Sequence, residues 1–143
     1  MRVKDVLASK GSAVATIPPD APVAQVLALL AEHKIGALVV TEDGTGVSGI
    51  VSERDIVRAL NTQGAALLQQ PVSSIMTVGV HTCAPLDEIR ELARTMTDGR
   101  FRHIPVVVDG ALAGIVTIGD IVKNRMDELE TEKSQLVDYI SAP

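Results

Sequence analysis

The sequence predicts an α/β (α+β) protein made from two copies of a β-α-β-β-α unit. Three observations predict it: an internal repeat, a shared switch from helical to strand periodicity, and an Asp-Gly pair between apolar runs in each copy. Residues 14–44 align with 80–110 without a gap, and 47–58 align with 112–123 after one deleted residue. Thr16 meets Thr82, Pro19 meets Pro85, and Asp43-Gly44 meets Asp109-Gly110. The best block sets Gly49-Ile50-Val51-Ser52-Glu53-Arg54-Asp55-Ile56-Val57 beside Gly114-Ile115-Val116-Thr117-Ile118-Gly119-Asp120-Ile121-Val122. Even the lead-ins rhyme, Val3-Lys4-Asp5-Val6-Leu7 with Val72-Ser73-Ser74-Ile75-Met76.

Each copy reads in the same order. A short strand at 13–17 or 80–83 runs into a Pro-marked turn. A helix follows, with Val23, Val26, Leu27 and Leu30 at helical spacing in one copy and Ile89, Leu92, Ala93 and Met96 in the other. Near-continuous apolar runs at 37–40 and 104–108 are strands, and Asp-Gly then marks a tight hairpin turn. The return strands are 47–51 and 112–116. Ser52 or Thr117 opens a closing helix. Neither copy hides its apolar faces alone, so the two sheets are expected to pack together as one domain. The copies divide as 1–67 and 68–125, with a helical extension at 126–143. In that extension Val122, Met126, Leu129, Lys133, Leu136 and Ile140 form a heptad seam with one Lys in it. The seam either packs on its own domain or meets a second copy.

Composition narrows the function. A chain of 143 residues buries roughly two-thirds of its unfolded surface, so a sizeable core is expected. With one Phe, one Tyr and no Trp, that core is aliphatic, and no aromatic pair is expected to stack a bound flat ring. Thirteen basic and 18 acidic residues give a net charge of -5, which argues against nucleic acid as a partner. Cys83 is the single cysteine, so no internal disulfide or cysteine zinc knuckle forms; it reads as a small buried hydrophobe. No run approaches the ~18 apolar residues of a membrane span, and the first residues lack the apolar run of a signal peptide. The expectation is a cytoplasmic protein with no membrane partner.

The motifs divide into those that fail and those that carry chemistry. Gly44-Thr45-Gly46-Val47-Ser48-Gly49 spells a GxGxxG, but a strand follows where a dinucleotide site needs a helix. No phosphate-loop, HExxH or GxSxG motif is present, and His33, His81 and His103 lack ligand spacing. A non-enzyme without a metal is expected. Ser52-x-x-Asp55 and Thr117-x-x-Asp120 read first as helix caps. They read second as diol clamps, since an ionised carboxylate accepts both hydroxyls of a ribose. Arg100-Phe101-Arg102-His103 places three potential cations at the mouth of a strand, where the first copy has Lys34-Ile35-Gly36-Ala37. That cluster is either a solvated strand end or a phosphate seat, which Arg54 and Arg58 could extend.

These residues resemble a tandem pair of CBS (cystathionine β-synthase) domains, of the small stand-alone bacterial type. The resemblance rests on the repeated Gly-Ile-Val-[Ser/Thr]-x-x-Asp-Ile-Val endings, the Asp-Gly pairs and the Arg102-His103-Ile104-Pro105-Val106 strand, and it covers residues 1–125. It implies two motifs packed through their sheets with pseudo-two-fold symmetry and two clefts between them. It also implies an adenosine ligand such as AMP, ADP or ATP, with the carboxylates on ribose. One cleft then combines Ser52 and Asp55 with Thr82, Cys83, Arg102 and His103. The other combines Thr117 and Asp120 with Thr16, Ile17, Gly36 and Ala37, and has no cationic side chain at the phosphate position. Arg102 and His103 favour phosphate over the sulfonium of S-adenosylmethionine. The resemblance thus implies a non-enzymatic sensor with no covalent cofactor, probed by a partner in trans and assembled as a homodimer. Two alternatives stand beside it: a constitutive assembly protein with vestigial clefts, and a small hydrolase or transferase acting on a nucleotide.

Overall fold

In each half, a helix with apolar residues at helical spacing lies against a hairpin. The computed structural model describes residues 1–143. In the first half α1 (Val3–Lys10) precedes β1 (Thr16–Ile17), α2 (Val23–His33), β2 (Ala37–Val40), β3 (Gly49–Ser52) and α3 (Glu53–Gln63). Two 3-10 turns, Gly64–Gln69 and Val72–Ser74, lead to α4 (Ile89–Gly99), β4 (His103–Val108), β5 (Ala111–Thr117) and α5 (Ile118–Ser141). Val23, Val26 and Leu30 of α2 pack on Leu38, Val40 and Val51. Ile89, Leu92 and Met96 of α4 pack on Ile104, Val106 and Val116. Each such side chain, fully buried, contributes ~1.5–3 kcal/mol. Both helices stop the same way, on a left-handed residue at matched positions: Lys34 (φ 54°) and Arg100 (φ 55°).

The sheets of the two halves pack together. Leu38 and Val40 face the first core, so Ala37 and Val39 point to the opposite side of β2. Both are nevertheless buried, Val39 completely. A central strand covered on both faces explains why 37–40 is apolar without alternation.

Two strand expectations change. β1 runs parallel to β2, and β2 pairs antiparallel with β3. The matching first strand of the second half shrinks to a single bridge, Cys83 to Val106, beside the β4-β5 hairpin. Asp109-Gly110 forms the expected tight turn, with both residues at positive φ. Asp43-Gly44 does not, because the chain makes a wider loop. Asp43 accepts the Thr45 and Gly46 N–H groups (2.9 and 3.0 Å), and Ser48 N–H closes the loop on the Val40 carbonyl. Those bonds, Gly46's foremost, hold the exposed Asp43 carboxyl well below the usual carboxylate range. The GxGxxG run is this loop, followed by a strand, and is no dinucleotide fingerprint.

The rhyming lead-ins are exchanged. Val3 and Val6 of α1 sit in the second core, and Val3 and Lys4 donate to the Asp87 and Pro85 carbonyls. Val72 sits in the first core, where it donates to the Ala21 carbonyl. Each half is therefore completed by the segment that precedes the other.

The closing helix α5 has 24 residues, about 36 Å at the standard rise. Its first turns are anchored: Asn124 is buried against Met1, and Glu128 lies between Arg125 and Arg90. The seam does not pack on its own domain. Val122, Met126, Leu129, Leu136 and Ile140 are all exposed, Ile140 at 79%.

Candidate functional site

The two carboxylates stand where a strand turns into a helix. Ser52 ends β3 and caps α3; its hydroxyl accepts the Asp55 N–H. Asp55 reaches back, so that its Oδ2 accepts the Ser52 N–H (2.9 Å) and the Ser52 hydroxyl (3.0 Å). At the matched position Asp120 Oδ2 accepts the Thr117 N–H (2.8 Å) and hydroxyl (3.2 Å). In both, the cap uses Oδ2 alone. Asp55 Oδ1 accepts only a long bond from the Thr77 hydroxyl, 3.4 Å, and Asp120 Oδ1 has no partner. Capping and clamping are thus compatible in one side chain: one oxygen holds the helix, the other keeps lone pairs for a ligand hydroxyl.

The strand residues assigned to each cleft split in two. Ile17 and Cys83 turn their side chains into the first and second cores. The Cys83 N–H and carbonyl are spent on Pro105 and Val107 of β4. Burial, with Asp87 adding, pushes the Cys83 thiol up to about 12, so it is an inert apolar group. Thr16 and Thr82, one residue earlier, keep accessible side chains.

The starts of β2 and β4 meet. A Cβ built on Gly36 would stand 3.5 Å from His103 Cε1 and 3.3 Å from Glu53 Oε1. The backbones repeat here: Glu53 N–H donates to the Gly36 carbonyl, and Ile118 N–H to the Arg102 carbonyl. Burial lowers the His103 pKa from 6.5; Glu53 raises it, and Arg102 and Lys10 lower it. The strand mouth therefore offers Arg102 as a cation but holds His103 neutral at pH 7. Arg54 is occupied elsewhere, donating to the Arg100 carbonyl (2.8 Å) and tying α3 to the second half.

Lys10, Glu53 and Thr77 belong to the site and carried no signal in the repeat. Lys10 Nζ lies 2.7 Å from Asp120 Oδ2, with the two side chains 31% and 16% exposed. Lys10 thus sets a cation beside the Asp120 carboxylate, away from the Gly36-Ala37 position where the repeat offers none. Reading the lead-ins as exchanged would have found it, because Lys10 closes the lead-in that runs past Asp120. The His81 and Phe101 rings stack on each other at 5.0 Å, next in sequence to Thr82 and Arg102.

A doubled β-α-β-β-α chain, with one carboxylate per half set at a strand-to-helix junction, defines a tandem-repeat module. The CBS-domain family profile matches residues 3–62 and 72–127, and the chain belongs to that family. It is similar to the mitochondrial CBS domain-containing protein CBSX3 of Arabidopsis thaliana, at 34% identity over 96% of this chain and 71% of the relative. The crystal structure of a CBS-domain protein of Agrobacterium tumefaciens superposes with TM-score 0.84 at 49% identity, covering 87% of this chain and 92% of that one. A CBS domain protein of Pyrobaculum aerophilum, complexed with AMP, matches with TM-score 0.73 at 27% identity, over 84% and 89%. The CBS domain pair of protein MJ0100, complexed with methylthioadenosine and S-adenosyl-L-methionine, matches with TM-score 0.79 at 25% identity, over 90% and 98%.

Proposed function

We propose that this protein is a non-enzymatic sensor that binds an adenosine nucleotide across its two halves and signals to a partner in trans. The observation that carries the reading is that Oδ1 of Asp55, with a single long bond from Thr77, and Oδ1 of Asp120, with none, keep lone pairs on carboxylates already fixed by their caps. The AMP and S-adenosylmethionine complexes of similar domain pairs support an adenosine ligand. Arg102, exposed at the start of β4, favours a phosphate-bearing one. A ligand gripping both halves favours one relative arrangement, and only to the extent that it binds that arrangement more tightly. The apolar seam of α5, with Val57 and Leu60 exposed on α3, supports assembly as a homodimer.

Thermal shift and calorimetry with AMP, ADP, ATP, adenosine and S-adenosylmethionine test this reading. A ligand at 100 times its Kd stabilises the fold by about 2.7 kcal/mol. A second reading, a constitutive assembly protein with vestigial clefts, draws on the same exposed seam. Absence of any shift across the panel, with an intact dimer, would select it; turnover of nucleotide would select an enzyme.

A further inference from the structure

We propose that Lys10 makes the Asp120 cleft selective for anionic adenosine ligands, so that a phosphorylated nucleoside enters and a neutral nucleoside or a sulfonium is disfavoured. The inference rests on the adenosine reading above. It begins from the Lys10–Asp120 contact at 2.7 Å, where the Lys10 side chain is 31% and the Asp120 side chain 16% exposed. A ribose hydroxyl meeting Asp120 meets a carboxylate already neutralised by an ammonium. A neutral ligand brings no second partner for that ammonium, and a sulfonium repels it. A phosphate does bring one. The ammonium stands at the carboxylate itself, so a ligand that meets Asp120 also meets Lys10. A flexible four-carbon stem lets it swing from carboxylate to phosphate.

The Asp55 cleft works differently. There the matching carboxylate faces the Thr77 hydroxyl, and no ammonium stands beside it. Its acceptor is open to nucleosides and nucleotides alike. Glu53, beside Gly36, opposes a phosphate in the Asp120 cleft and leaves Lys10 as the compensating group.

The test uses the full chain with Asp55→Ala, which leaves the Asp120 carboxylate as the remaining clamp. Calorimetry with AMP and with adenosine compares Lys10 with Lys10→Met and Lys10→Arg. Loss of one charge-assisted contact corresponds to about 10- to 100-fold in Kd. Lys10→Met is therefore expected to lower the preference for AMP over adenosine by about that factor, with adenosine affinity changed little. Lys10→Arg retains the preference, and Glu53→Gln raises AMP affinity. An AMP-to-adenosine ratio that ignores Lys10→Met overturns the proposal, as does an Asp120 cleft that takes no AMP when the parent chain does. If the parent chain binds neither compound, the adenosine reading itself fails and the role of Lys10 falls with it.

Discussion

Gly49 lies directly beneath Met76: a Cβ built on Gly49 would come within 2.8 Å of the Met76 sulfur and 2.9 Å of the Thr77 carbonyl oxygen. The matched Gly114 lies beneath Leu7, the matched residue of the other lead-in. The glycines that open the family-like block are thus explained by the exchanged segments crossing over them.

The two glycines are not equally demanding. At Gly49 the obstacle includes backbone, and the Thr77 carbonyl is tied to Ile50 N–H at 3.0 Å. At Gly114 the obstacle is the methyl end of Leu7, which can rotate aside. Gly49→Ala is expected to destabilise by about 1–3 kcal/mol and Gly114→Ala by less than about 1.5. Urea denaturation of the two variants checks the order; equal losses would mean that Thr77 yields as readily as Leu7.

Asp55 caps α3, and two substitutions separate that role from the proposed clamp. Asp55→Ala is expected to weaken adenylate binding about 10- to 100-fold. It also costs stability of about 0.5–2 kcal/mol through the lost cap. Asp55→Asn keeps an oxygen for the Ser52 N–H, so it should recover stability more than affinity. Calorimetry beside thermal melts reads both quantities. Unchanged affinity in both variants would reduce Asp55 to a cap.

His103 gives the fold a pH dependence of predictable sign. Burial holds its folded-state pKa below the unfolded value, so the unfolded chain takes up the proton first. Its contribution is complete above about pH 6.5 and is lost as pH falls toward the lower, folded value. Glu53 counters the shift, while Arg102 and Lys10 reinforce it. His103→Gln is expected to flatten the stability profile between neutral and mildly acidic pH. The same slope in parent and variant would place the titration elsewhere. A phosphate that drew the proton onto His103 would also make nucleotide binding take up protons, which calorimetry in buffers of different ionisation enthalpy detects.

The extension is separable from the two cores. Beyond Glu128, α5 is exposed along its length. Truncation after Arg125 is expected to leave both halves folded and adenylate binding intact while weakening self-association. Lys133 in the seam should itself limit that association, since Lys at a core heptad position costs stability. Sedimentation of parent and truncated chains measures it; an equally tight dimer would assign the contact to Val57 and Leu60 instead.

Local signals were legible in proportion to how local their causes are. The strand at 37–40, helices α2 and α4 and the caps at Ser52 and Thr117 follow from periodicity and neighbouring residues. The wide loop at Asp43 was missed because its side chain competes with the turn that the Asp-Gly pair announces. The first strand of the second half was overread: its residues favour extension, yet only Cys83 reaches a partner. At the site, both carboxylates were visible through duplication. Lys10 and Thr77 were not, because sequence similarity between the lead-ins says nothing about which core each one joins. The buried Cys83 was legible from its residue type, whereas the neutral His103 followed from burial that its residue type does not announce.

The exchange of lead-ins also sets a timetable for synthesis. Helix α1 leaves the ribosome first, yet Ile104, Val106 and Val116, against which Val3 and Val6 rest, are among the last core residues made. At 5–20 residues per second, the delay is on the order of ten seconds. The first half meets no such delay, since Val72 follows its own core closely in the chain. The nascent protein therefore acquires its halves in order, and carries α1 with Val3 and Val6 uncovered until the second half emerges to receive them.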